Sequence, residues 1–190
     1  LMLGEGKVKL ASGCYCGLIE GIFVINGFYM GMREMYVERG SSVHWFSVEW
    51  DERDLPWEQF RSKILGATEP SRADENSLRG LAYQRWRELG LPREPDVGEN
   101  VVHASASPFE ALAERANWLG LAVKNDPFGR ALLSRGISRD VIKHWAQDPM
   151  VHHDGRRQSL FDVFEGMDSA ACLEVARALH AGPRHAVLGE

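Results

Sequence analysis

An α+β fold with a helical tail is predicted, on three observations. First, Val43–Trp50 alternates, with Val43, Trp45, Ser47 and Glu49 on one face and His44, Phe46, Val48 and Trp50 on the other, the period of a strand. Second, the segments 54–65, 78–89 and 107–119 carry apolar residues at helical spacing between start and stop signals. Third, beyond Gly120 the apolar positions continue in short helical pieces joined by polar turns. The chain has 190 residues, enough for one core plus an appendage when domains usually run to roughly 100–200 residues. The expected division is a core over 1–120 and a helical C-terminal extension over 121–190.

The glycine-rich residues 1–19 give no clear period. Gly21–Ile25 is apolar and reads as a short strand, and Asn26-Gly27 is a turn signal. Phe28, Met32, Met35 and Tyr36 sit at helical spacing, and Arg39-Gly40-Ser41-Ser42 breaks that helix. After the strand at 43–50, Asp54-Leu55-Pro56 supplies a carboxylate cap and a first-turn proline for a helix that stops at Gly66. Ala67–Ser77 is a loop. Leu78, Leu81, Ala82, Trp86 and Leu89 define a helix ending at Gly90. Residues 91–99, with two prolines and a glycine, are irregular, and Asn100–Ala104 is expected as a short buried strand. Ser107-Pro108-Phe109-Glu110 is a capping box with proline at the first helical position, and Gly120 ends that helix. In the extension, helices are expected at Ser138–Ala146, Ser159–Phe164 and Asp168–Ala181, packing onto the core or onto a neighbouring subunit.

Apolar residues make up 44% and charged residues 26%, as in ordinary globular proteins. The net charge of -5 argues against a general binder of nucleic acid or acidic membrane, while leaving room for a local basic phosphate pocket. Cys14, Cys16 and Cys172 are too few for a disulfide framework and suit a reducing, cytoplasmic setting. Cys14-Tyr15-Cys16 has no second ligand pair, so these read as ordinary strand or loop cysteines and no metal site is assigned. No stretch approaches the ~18 apolar residues of a membrane span, and no secretory leader is visible. His152-His153-Asp154 reads as a solvated loop. Trp45, Trp50, Trp57, Trp86, Trp118 and Trp145 read mostly as core residues.

The chemistry concentrates around His103, which stands just before a capped helix. A helix N-terminus offers unpaired N–H groups and a positive dipole end to anions. Glu114, eleven residues on, lies on the second turn of that helix and is placed to reach back. A carboxylate on one imidazole nitrogen fixes the tautomer and leaves the other nitrogen's lone pair free, as a nucleophilic histidine requires. Ser105 lies between them and can bridge to the carboxylate.

Asn100-Val101-Val102-His103-Ala104-Ser105-Ala106-Ser107 resembles the Asn-x-x-His-Gly-Ser-Asp-Ser signature of nucleoside diphosphate kinases, and Glu114 stands at that family's glutamate spacing. Leu65-Gly66-Ala67-Thr68-Glu69-Pro70 is similar to its Gly-x-Thr-x-Pro loop, and Ser77-Leu78-Arg79-Gly80 to its Thr-Ile-Arg-Gly segment. Asn26-Gly27-Phe28-Tyr29-Met30-Gly31-Met32 looks like its nucleotide-binding helical hairpin. The blocks occur in the family's order over about residues 22–120. The resemblance implies a ferredoxin-like antiparallel sheet with helices on one face. It implies that His103 carries the phosphate between nucleoside triphosphates and diphosphates in a ping-pong reaction, with Glu114 and Ser105 holding its ring. It also implies that Thr68 and Arg79 bind phosphate oxygens and Asn100 the sugar. Phe28 would stack on the base, with Met32 and Val97 lining the slot. Mg²⁺ would travel with the nucleotide phosphates, and the protein would be a homo-oligomer.

The pattern has departures. The family's opening strand with Lys-Pro-Asp is absent, and because the chain begins at Leu1 a truncated chain is expected, with that strand upstream. Ser62 stands where the family has an arginine six residues before the loop threonine. Arg61 is the candidate replacement, although one residue along an α-helix turns a side chain by ~100°. Ala104 and Ala106 replace the signature's glycine and aspartate.

Overall fold

The protein is seen here in a computed structural model, which describes residues 3, 6–11 and 14–182, without the side chains of residues 11, 28–30 and 32. It is an α+β structure with two small antiparallel sheets. Strands β1 (Val8–Ala11), β2 (Cys14–Ile19) and β3 (Ile22–Ile25) pair in sequence order. The β2–β3 hairpin closes on a two-residue turn, Glu20 (φ 51°) and Gly21 (φ 82°), with Ile19 opposite Ile22. Two left-handed central residues give the mirror-image turn whose twist matches that of the strands. Helix α1 (Gly27–Val37) follows directly, in agreement with the expected span.

Two expected strands are not formed. Residues 43–50 carry no regular structure despite their alternation. A strand exists by pairing, and among the described residues no neighbouring strand supplies hydrogen bonds there. Residues 100–104 are likewise not a strand, because the chain turns tightly at Val101. The described residues therefore hold no four-stranded sheet.

The next helix starts later than expected. Asp54 does not cap it; Pro56 occupies the cap position, and α2 (Trp57–Gln59) runs straight into a π-helical segment, Phe60–Leu65. Gly66, at φ 95°, ends it. Helix α3 (Leu78–Arg85) is capped by the Ser77 hydroxyl, which accepts from the Gly80 N–H, and ends four residues short of Leu89 in a run of turns. Helix α4 (Pro108–Leu119) keeps its expected bounds. Ser107 Oγ accepts the Glu110 N–H at 3.1 Å, and Gly120 closes the helix in the left-handed region. The reciprocal arm of the capping box differs, since the Glu110 carboxylate accepts the N–H of Ala106, one residue before the cap.

The extension holds α5 (Pro127–Ser134), α6 (Arg139–Trp145), α7 (Leu160–Phe164) and α8 (Ser169–Ala181). It also holds a hairpin that the helical reading lacked, β4 (Met150–His153) with β5 (Arg156–Ser159), turned through Asp154 and Gly155. His152 and His153 therefore lie on a strand, not in a loop. The main core is here: Phe109 and Leu112 of α4 pack with Phe128, Leu132, Ile137, Ile142, Trp145, Val151, Leu160, Val163, Phe164, Cys172, Leu173 and Ala176. Burial pushes the Cys172 thiol up to about 12, so it stays a protonated, unreactive core residue. Cys14 and Cys16 are unpaired on β2. Trp145 is buried, whereas Trp45 and Trp118 are exposed, against the expectation for them.

Two buried carboxylates fasten the parts together. Asp126 takes a forked pair of bonds from Arg115 (2.7 and 2.6 Å) and caps α5 through the Gly129 N–H. Asp148 accepts from Lys9 of β1 at 2.5 Å, from the Ser159 hydroxyl and from the Phe161 N–H, tying the N-terminal sheet to the C-terminal hairpin. Shared donors of this kind satisfy a buried carboxylate that would otherwise be costly. Among the described residues no helix is long and apolar enough to cross a membrane.

Candidate active site

His103 lies in the irregular segment between α3 and α4, and its ring meets Glu114 on α4. Nε2 is 2.5 Å from Glu114 Oε1, and Ser105 Oγ donates to the other carboxylate oxygen at 2.5 Å. Both contacts come from the spacing of the sequence. With α4 starting at Pro108, Glu110 and Glu114 lie one turn apart on the face opposite Phe109 and Leu112, since each residue advances ~100°. One side of α4 thus enters the core and the other carries the carboxylates.

The bonding fixes the tautomer. The hydrogen bonds from His103 and Ser105 outweigh burial and keep the Glu114 carboxyl below its ordinary range, so it is an ionised acceptor. In the neutral ring Nε2 then carries the hydrogen, leaving Nδ1 with its lone pair and no protein partner among the described residues. The ring is accessible, its side chain 58% exposed. The Glu114 bond raises the imidazole above its ordinary value; burial and the Arg61 charge oppose this without cancelling it. A reference pKa of ~6.5 would leave the ring largely neutral at pH 7; the shift means that more of it is imidazolium there. Glu110, nearby, is raised by burial and by the Glu114 charge, against the Ala106 N–H bond that lowers it.

The chain reaches His103 through strained backbone. Val101 has φ 73°, and the Val102 N–H donates back to the Asn100 carbonyl at 2.9 Å, closing a three-residue γ-turn. A β-branched residue in that region costs on the order of 1–3 kcal/mol. Arg79 holds the turn from behind. Its Nη2 (3.0 Å) and Nε (3.3 Å) donate to the Val102 carbonyl, and its Nη1 donates to the Gly66 carbonyl at 3.0 Å. Only 7% exposed, Arg79 is held below its ordinary range by burial and by the Arg61 charge. Its visible work is to link the Gly66 loop to the histidine segment.

Beside this lies a cleft of about 510 Å³, with Arg61, Thr68, Arg79, Glu165 and Gly166 among its lining. Arg61 reaches it although it stands seven residues before Thr68. The π-helical turn, closed by the Gly66 N–H on the Arg61 carbonyl, takes one residue more into its hydrogen-bonded ring than an α-turn, and both Arg61 and Ser62 line the cleft. Arg61 Nη1 pairs with Glu165 Oε1 at 2.7 Å, while its Nε is buried without a partner among the described residues. Asn100 Nδ2 donates to the Thr68 carbonyl at 3.3 Å. Gly66, at φ 95°, also lies so close to Ser77 that a Cβ would stand 2.3 Å from its hydroxyl oxygen.

The structure therefore gathers His103, Ser105 and Glu114 into one cluster and Arg61, Thr68 and Arg79 around the cleft, with Asn100 bridging to Thr68; the cluster does not line the cleft, and Arg79 links the two through the Val102 carbonyl. Val97 is exposed on the 91–99 segment and is not among the cleft residues. The side chains of Phe28 and Met32 lie outside the described residues.

Sequence reasoning missed three contributors. Trp57 Nε1 donates to the Ser105 carbonyl at 2.9 Å, and its own N–H is held by Asp168 at 2.6 Å. Glu165 enters from the extension, and the neighbouring Gly166 N–H donates to the Ala106 carbonyl at 2.8 Å. Their partners are 48 to 111 residues away, beyond any local pattern. The third, Val101, lies in a Val-Val run that argues for a strand, the opposite of what it does. No protein-family model, curated protein or solved structure matches the chain.

Proposed function

We propose that this chain transfers the terminal phosphate of a nucleoside triphosphate to a nucleoside diphosphate through phospho-His103, as a nucleoside diphosphate kinase. The observation that supports this most is the pinned imidazole: Nε2 on Glu114, the carboxylate braced by Ser105, Nδ1 free in an exposed ring. In the first half-reaction the Nδ1 lone pair attacks the γ-phosphorus as the bond to the β,γ-bridging oxygen breaks, and the nucleoside diphosphate leaves with those electrons. In the second, a terminal phosphate oxygen of another diphosphate attacks the phosphohistidine and the P–N electrons return to Nδ1. Positioning and charge stabilisation carry such transfers. Glu114 stabilises the ring as it becomes positive on phosphorylation. Arg61 and Thr68 supply donors to the phosphate.

Mg²⁺ belongs with the nucleotide in this reading, neutralising charge on the phosphates. The cleft fits that arrangement, being lined by two arginines and a threonine alongside Glu58 and Glu165. Among the described residues no group of three or more His, Cys, Asp or Glu is placed to hold an ion. The finer fold that goes with the reading is a ferredoxin-like sheet; the described residues hold a three-stranded antiparallel meander, β1–β3, followed by a helix.

A second reading has one observation in its favour. Arg79 and Asn100, two of the expected nucleotide ligands, are already engaged with backbone carbonyls. A nucleotide-binding or assembly module that does no chemistry would tolerate that. Incubation with γ-labelled ATP separates the two. Acid-labile, alkali-stable label, absent from His103→Ala, is the expected result. Nucleotide binding with no label would assign the chain to the module instead.

A further inference from the structure

The geometry points to Glu165 as the residue that sets how readily the cleft takes a phosphate: its carboxylate occupies Arg61 and gives it up to a phosphate oxygen. This rests on the phosphotransfer reading of the cleft and adds a determinant from the C-terminal segment.

The two cleft arginines are held differently. Arg79 is committed to the Gly66 and Val102 carbonyls by three hydrogen bonds and is nearly buried. Arg61 is held by a single carboxylate contact at 2.7 Å, between side chains 30% and 55% exposed. Exposed pairs of this kind contribute little and are readily exchanged. A phosphate presents several anionic oxygens to a guanidinium and bonds it more strongly than one exposed carboxylate does.

The charges of the lining balance, Arg61 and Arg79 against Glu58 and Glu165. A phosphate therefore meets a neutral cleft, and it meets a cationic one only when the Glu165 side chain swings away. The backbone need not follow. Gly166 is fastened to the Ala106 carbonyl at 2.8 Å, so the exchange asks only for rotation of an exposed side chain. Were Glu165 instead an orienting partner that aims Arg61, neutralising it would weaken anion binding. The two roles differ in sign.

The test is calorimetric titration of the full chain with inorganic pyrophosphate at low ionic strength, comparing wild type with Glu165→Gln. The expected result is roughly two- to fivefold tighter binding in the variant. The gain should shrink as salt is added and vanish in an Arg61→Gln background. Equal or weaker binding by Glu165→Gln overturns the proposal. If affinity is unmoved while His103 still accepts label from ATP, only this role of Glu165 falls. If neither protein binds pyrophosphate and neither takes label, the phosphotransfer reading falls with it.

Discussion

Phe109, Leu132, Leu160 and Phe164 in the C-terminal half are each 0% exposed, whereas Phe23 and Phe46 in the N-terminal half are 77% and 88% exposed. The residue types are the same; what differs is the number of layers. Helices α4 to α8 are short, sharply bounded and folded back on one another, so each apolar face meets another. Among the described residues strands β1–β3 pair only with one another, and Val8, Leu10, Leu18, Ile22 and Phe23 are exposed. Hydrophobic composition alone does not build a core; a second layer must cover the first. The candidate site sits on the side that has one. Glu110 and Glu114 project from a helix whose opposite face is Phe109 and Leu112, and the cleft is closed by residues 165–167 of the packed half.

That contrast can be broken by mutation. Phe164→Ala should destabilise the protein by about 3–5 kcal/mol, and Phe46→Ala by less than about 0.5 kcal/mol. Urea unfolding of the two variants checks this, and equal losses would dissolve the distinction between the halves. The next effect in size concerns the carboxylate face of α4. Glu114→Gln should slow phosphohistidine formation by about 10²-fold, with little change in unfolding midpoint. It should also move the pH profile. Because the Glu114 bond raises the His103 pKa, wild-type labelling should rise with pH through a midpoint above the ordinary ~6.5, as the reactive neutral ring replaces imidazolium. The variant's midpoint should fall. A profile unchanged by the substitution would remove Glu114 from its role. The smallest effect is at the start of the same helix: Ser107→Ala removes the acceptor for the Glu110 N–H and should cost about 1 kcal/mol, read as a shift in thermal midpoint.

Features set by neighbouring residues were legible in the sequence. Ser107, Pro108 and Gly120 mark α4 at both ends, and the 103-to-114 spacing placed a carboxylate on a histidine. In the extension, Ile137, Val141, Ile142, Trp145, Leu160, Phe161, Phe164, Leu173, Val175 and Leu179 stand at apolar positions of the short helical pieces, and all belong to the core or pack against it. Features that depend on distant partners were not legible. Val43–Trp50 has a strand's alternation and no strand beside it. Arg79 reads as a free phosphate ligand until the Gly66 and Val102 carbonyls, 13 and 23 residues away, are seen to claim it. The β4–β5 hairpin is an intermediate case. Asp154-Gly155 is a strong turn signal, but the flanking His152-His153 and Arg156-Arg157 carry none of the apolar alternation that would have made it read as strands.

Helix α4 is one rigid body with two duties. The packing that excludes water from Phe109 and Leu112 is the same packing that holds Glu114 within 2.5 Å of an imidazole nitrogen. Loosening the interior around Phe109 and Leu112 should therefore also release Glu114 from the imidazole, so that a change in the core reaches the nucleophile through the helix.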